Sequence, residues 1–135
     1  MYQLTEDLKT GIPDIDAQHQ ELFSRINDVT NLTIKQAISK EEIDKTISLL
    51  GDYIAKHLSD EETIQIKYNY PKLAAHKAQH DTFRKNFADL KKEYQANGPS
   101  VTFSMILNKS VIEWIVKHIR FADKELAVHI KGVKK

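Results

Sequence analysis

The sequence predicts an all-α fold: an up-down-up-down antiparallel four-helix bundle with an extended N-terminal arm. Three observations carry this. Only four glycines and three prolines interrupt the 135 residues, so long helices are favoured. Apolar residues recur in alternating steps of three and four, the period of a helix face packed on its neighbours. Clusters of turn residues, Asn69-Tyr70-Pro71 and Asn97-Gly98-Pro99-Ser100, divide the chain into helices of roughly 20–30 residues with short connections. A chain of this length builds one domain, so residues 1–135 are read as a single unit with its arm over about residues 1–15.

Gly11 and Pro13 oppose a helix in the arm, while Leu4, Leu8, Ile12 and Ile15 offer apolar contacts. Asp16 is the expected N-cap of the first helix, whose stripe holds His19, Leu22, Phe23, Ile26 and Val29 and which ends near residues 36–38. A capping box, Ser39 and Glu42, opens the second helix. Its stripe runs Ile43, Ile47, Leu50, Ile54, His57, Glu61, Ile64, Tyr68, so His57 and Glu61 occupy positions that call for Leu or Ile. Pro71 suits the first turn of the third helix, with the stripe Leu73, His76, His80, Phe83, Phe87, Leu90, Tyr94. Ser100 caps the fourth, which carries Phe103, Leu107, Val111, Trp114, Ile115, His118, Phe121 and Leu126. Lys131, Lys134 and Lys135 favour its C-terminal end.

In an antiparallel helix pair, residues equally far from the connecting turn lie level. About the turn near residue 38, His19 is level with His57; about residue 70, Glu61 is level with His80, with His57 and His76 within a turn. About residue 98, His80 is level with His118 and His76 with Asp123. His19, His57, Glu61, His76, His80, His118 and Asp123 thus fall in one layer. Asp123 is the awkward member, because five residues turn an ideal helix by about 140° from His118. It must reach around, or the helix widens in a π-bulge. His129 lies about 16 Å further along and is expected at a boundary or surface.

Alone, His19 is explained by core packing and the His57–Glu61 pair by a helical hydrogen bond, while His76-x-x-x-His80 is in itself a moderate metal signal. Together, five imidazoles and two carboxylates in one buried layer would cost several kcal/mol per ionised group without a partner. A metal site removes that cost. Seven ligands are too many for one tetrahedral zinc and suit two metals with bridging carboxylates. Nitrogen and oxygen ligands without sulfur leave iron, manganese and zinc open.

The remaining composition excludes other classes. The formal net charge is +1 and no basic patch with interleaved aromatics occurs, so no nucleic-acid partner is expected. The chain has no cysteine, so thiolate sites and cysteine nucleophiles are absent. No apolar run approaches a membrane span, and the first residues lack the pattern of a signal peptide; no membrane partner and a cytoplasmic location are expected.

The segments Gly11-Ile-Pro-Asp-Ile-Asp-Ala-Gln-His19, His57-x-x-x-Glu61-Glu62, Tyr70-Pro71, His76-x-x-x-His80-x-x-Phe83 and Trp114-x-x-x-His118-x-x-x-x-Asp123 resemble the hemerythrins, most of all the stand-alone bacterial type. The resemblance spans nearly the whole chain and fills all seven ligand positions. It implies reversible dioxygen binding at a non-haem di-iron site, for storage, delivery or sensing. His76, His80 and His118 would hold one iron, His19 and His57 the other. Glu61, Asp123 and a solvent-derived oxo or hydroxo group would bridge them, and dioxygen would take the open position on the two-histidine iron. On that scheme the site keeps one net charge through the cycle, which spares a buried centre a solvation penalty. Phe23, Trp114 and Ile115 are candidate pocket walls. A di-iron peroxidase or oxidase, or an iron-storage or stress protein, is the competing expectation. The histidine-rich ligand set, without Glu-x-x-His pairs in the layer, favours binding over catalysis.

Two features depart from the family pattern. The arm's only aromatic is Tyr2 where relatives often carry an aromatic late in the arm, and Gln65 stands one turn beyond Glu61 where an apolar residue is usual. Gln65 either brings water or a hydrogen bond near the site and speeds autoxidation, or points to solvent from the helix end. On the first expectation, Gln65→Met lengthens the lifetime of the oxygenated form, read from the decay of its visible absorption; an unchanged lifetime refutes it.

Overall fold

A computed structural model of the chain describes residues 5–34, 40–98 and 100–133. Three helices, α1 (Pro13–Ile34), α2 (Lys40–Lys67) and α3 (Leu73–Asn97), are followed by a fourth helical rod, α4 (101–133). Consecutive helices pack on one another in the expected up-down-up-down order. The expected end of α1, Ser39 of the capping box, Tyr2, Leu4, Pro99, Lys134 and Lys135 lie outside the described residues.

Two apolar clusters fill the bundle. The larger includes Leu22, Phe23, Ile26, Leu50, Ile54, Phe83, Leu90, Val111 and Ile115. The smaller joins Ile15, Tyr70, Leu126 and Ile130 near the other end. Each cluster removes apolar surface from water at roughly 25 cal/mol per Å². On α1, His19 falls between Ile15 of the small cluster and Leu22 of the large one. On α4, Asp123 falls likewise between Ile119 and Leu126.

The arm differs from the extended segment expected. A 3₁₀ turn, Glu6–Leu8, seats Leu8 in the large cluster. Pro13 is the first residue of α1, where its missing N–H leaves no bond unmade. Asp16 therefore sits inside the helix and does not cap it. Its carboxylate accepts hydrogen bonds from Thr10 N–H at 2.8 Å, the Thr10 hydroxyl at 2.7 Å and Gly11 N–H at 3.0 Å. Gly11 needs its freedom here, at φ 82°. Arg120 adds a 3.0 Å contact to Asp7.

Two inner faces also shift. On α2 the buried line runs His57, Glu61, Gln65, while Ile64 and Tyr68 are half-buried. Gln65 is 0% exposed, so it does not point to solvent. Pro71 lies in the turn before α3, not in its first turn, and Asn69 supplies the positive φ of 52°. Ser100 caps α4 as expected, accepting from Phe103 N–H at 3.0 Å. Within α4, Leu107–Glu113 and Ile119–Asp123 are π turns. The second closes with Lys124 N–H donating to the Ile119 carbonyl, five residues back. It turns Asp123 inward and leaves Phe121, expected in the core, 62% exposed.

Replacing Asp16 by Ala removes three hydrogen bonds at once. Urea unfolding should show a loss of about 1–3 kcal/mol, with faster proteolysis of the arm; unchanged stability and unchanged cleavage would contradict the clasp.

Candidate metal centre

All seven side chains of the expected layer are buried, each 4% exposed or less. His19 comes from α1, His57 and Glu61 from α2, His76 and His80 from α3, His118 and Asp123 from α4. Their ligand-competent atoms form two overlapping groups, each within 4.8 Å: Glu61, His76, His80, His118, Asp123, and His19, His57, Glu61, Asp123. The two carboxylates belong to both groups, and their oxygens divide between them. Glu61 Oε1 is 2.9 Å from His76 Nε2 and 3.1 Å from His80 Nε2. Its Oε2 is 3.6 Å from His57 Nε2 and 3.8 Å from His19 Nε2. Asp123 Oδ1 is 2.9 Å from His76 Nε2 and 3.1 Å from His118 Nε2, while Oδ2 is 2.9 Å from His19 Nε2.

Asp123 reaches these places through the π turn. In a turn bonded to the fifth residue, five residues come close to a full revolution, so Asp123 stacks with His118. Of the two alternatives left by the spacing, the widened helix is the one found.

Without a cation, the layer is strained electrostatically. Burial pushes the His57 pKa down to about 4. Burial also opposes charge on His76, but the Asp123 and Glu61 carboxylates outweigh it and push its pKa up to about 9. The same contest, won mainly by Asp123, raises His19. Burial alone would raise Asp123; His118, His19 and His76 together hold it well below the usual carboxylate range. Despite the short distances, His19 Nε2, His57 Nε2, Glu61 Oε2 and both Asp123 oxygens make no aligned hydrogen bond. Lone pairs that converge without mutual alignment fit a cation set among them, which takes the place of the shared protons. The donor set of imidazole and carboxylate fits iron, manganese or zinc.

A second ring of side chains fixes the histidine tautomers. His57 Nδ1–H donates to Gln18 Oε1 at 2.8 Å, and Gln18 Nε2–H donates to Asp60 at 2.9 Å. His80 Nδ1–H donates to Glu62 at 2.8 Å; Arg84 holds Glu62 at 2.9 Å. His118 Nδ1–H donates to Gln79 Oε1 at 2.7 Å. Each bond leaves Nε2 bare and aimed inward. Sequence reasoning missed these acceptors, although a signal was present. Gln18, Glu62 and Gln79 each adjoin a candidate ligand in the chain, yet each serves the histidine of the next helix.

Trp114 is half-buried and stacks on His118, with ring centroids 4.8 Å apart and planes at 13°, and on Phe83 beyond it. Phe23 and Ile115 are buried in the large apolar cluster. A groove of about 440 Å³ between α3 and α4 is lined by Tyr70, His76, Gln79, Trp114, His118 and Phe121. His129 stays outside the layer as expected, half-buried, with Nε2–H donating to the Tyr68 carbonyl at 2.8 Å.

Fold and site together define a four-helix bundle with a buried cluster of histidines and carboxylates able to hold a metal ion. The chain belongs to the hemerythrin family: the hemerythrin HHE cation binding domain matches residues 10–130. It is 33% identical to a bacteriohemerythrin of Methylococcus capsulatus over 85% of both chains. It is 31% identical to one of Stenotrophomonas maltophilia, over 94% of this chain and 80% of that one. A crystal structure of wild-type hemerythrin superposes with a TM-score of 0.80 at 31% identity, covering 94% of this chain and 95% of that one.

Removing a tautomer-fixing acceptor should weaken metal binding without unfolding the bundle. Gln18→Leu and Gln79→Leu are each expected to lower metal affinity 10–100-fold, measured by titration against a competing chelator. Affinities equal to that of the unaltered protein would contradict the role given to these residues.

Proposed function

We propose that this chain binds dioxygen reversibly at a di-iron centre. One observation carries the reading: two ligand groups overlap at Glu61 and Asp123, with one carboxylate oxygen of each turned to either side. That arrangement suits two cations bridged by the same two carboxylates. His76, His80 and His118 would hold one iron, His19 and His57 the other. The second group has one histidine fewer, which leaves room for a small external ligand. A pair of iron ions held there would supply the two electrons that a two-electron, reversible uptake of dioxygen requires.

The chain's own residues supply what makes such uptake reversible. The apolar clusters on either side shield the two-histidine side of the layer, where His19 is 0% and His57 1% exposed, from bulk water. Gln18, Glu62 and Gln79 hold protons on the outer imidazole nitrogens, so the inner ones stay free. The site has no uncommitted acid to drive catalysis: Glu62, the one additional carboxylate bonded to a layer histidine among the described residues, is tied to His80 and Arg84. The name bacteriohemerythrin carried by the relatives agrees with a binding protein and not an enzyme. No helix among the described residues is long and apolar enough to cross a membrane, and we read residues 1–135 as one domain.

The protein reduced with iron under argon and then exposed to dioxygen should gain a visible absorption that disappears when dioxygen is withdrawn. Irreversible oxidation with no such absorption would favour the oxidase or storage alternatives. Iron removal should lower the melting temperature, since the metal-free layer buries converging polar atoms without partners; an unchanged melting temperature would count against a buried site.

A further inference from the structure

Once the candidate ligand atoms and their acceptors are assigned, two buried polar groups remain without a partner among the described residues. Gln65 is 0% exposed, and neither its Oε1 nor its Nε2 has a hydrogen-bond partner among the protein groups. His19 is also 0% exposed, and its Nδ1, the ring nitrogen not directed at Asp123, has none either. His57, His80 and His118 each have an acceptor for that nitrogen. The ring of acceptors, α1 serving α2, α2 serving α3 and α3 serving α4, is open at His19.

The two groups lie near one level. Gln65 is about as far before the α2–α3 turn as His76 is after it, and His76 about as far before the α3–α4 turn as Asp123 is after it. Gln65 is therefore level with Asp123, which His19 Nε2 reaches at 2.9 Å. Gln65 and His19 begin about 12 Å apart along the bundle, eight residues of helix rise. Side chains lean toward the N-terminus of their own helix, and α1 and α2 run in opposite directions. His19 and Gln65 thus lean toward each other. Both side chains therefore extend from neighbouring helices into the interval between their two levels.

We propose that Gln65 and His19 hold one buried water molecule between them. The water accepts from His19 Nδ1–H and donates to Gln65 Oε1, which gives it two fixed protein partners. It fixes His19 in the same tautomer as its three counterparts and closes the ring from α2. The proposal rests on the reading of His19 as a metal ligand. It makes Gln65 a positioning residue for the two-histidine position, acting through His19.

Zinc tests this without redox chemistry. In the zinc-loaded protein with nitrogen-15-labelled histidine, magnetic resonance should show His19 Nδ1–H in a strong hydrogen bond. Gln65→Met should move that signal toward the position of an unbonded imidazole N–H and weaken zinc binding at one of two positions 10–100-fold. Gln65→Glu, which keeps an acceptor, should retain the signal. The His57 signal, held by Gln18, should be unmoved in both variants, which shows that the bundle is intact. A high-resolution crystal structure of the zinc form should place a water between the two side chains. An unmoved His19 signal with unchanged zinc affinity in Gln65→Met, or direct contact with no water, overturns the proposal. Failure of the unaltered protein to take up zinc overturns the ligand reading along with it, whereas uptake with no effect of Gln65→Met overturns this inference alone.

Discussion

The carboxylate of Asp123 is the point on which the rest of the interior depends. It lies within 3.1 Å of histidines from three different helices: His19, His76 and His118. Among the described residues, only Glu61 has comparable reach. Asp123 can do this because α4 widens at Ile119–Asp123, giving up α-helical bonding over one turn to bring the fifth residue under His118. A π turn carries poorer hydrogen-bond geometry than an α-helix, and such turns are frequent at functional sites. Its cost is local. The contacts it creates join α1, α3 and α4 across the centre of the bundle.

A polar layer of this kind is expensive unless something satisfies it. Isolated buried carboxylates and imidazolium ions lose far more in hydration than packing returns. The bundle meets this in two ways. Apolar clusters on both sides supply the cohesion that the layer lacks. Within the layer, opposite charges meet at hydrogen-bond distance, which raises His76 to about 9 and lowers Asp123. The result is a cage whose lone pairs already converge. Outside it, Gln18, Glu62 and Gln79 hold the rings in place, so a cation would meet a site largely organised beforehand.

Much of this could be read from the chain. Helical periodicity exposed His57, Glu61, His76 and His80 because they stand where apolar residues belong, and counting from the turns placed His19 and His118 level with them. Ser100 was legible as a cap because capping is a local interaction. What periodicity misses is a change of period. The spacing of His118 and Asp123 left a π turn open as one of two ways for Asp123 to face inward, but no residue type chooses between them, and the outward turn of Phe121 that follows from the π turn was missed. Asp16 looked like a cap because Pro13 was taken as a helix breaker, whereas at the first position it is compatible with the helix. Gln18, Glu62 and Gln79 escaped because their partners lie 39, 18 and 39 residues away on neighbouring helices. Gln65 was visible as an oddity, and only the fold shows that it is buried with both amide atoms unpartnered.

The central claim is that Glu61 and Asp123 are shared by two iron ions. Anomalous diffraction at the iron edge, on crystals of the iron-loaded protein, tests it most directly. Two peaks are predicted inside the layer, both within bonding distance of Glu61 and Asp123. Three histidines (His76, His80, His118) should surround one and two (His19, His57) the other. A single peak in the layer, or iron bound elsewhere with the layer empty, would contradict the account.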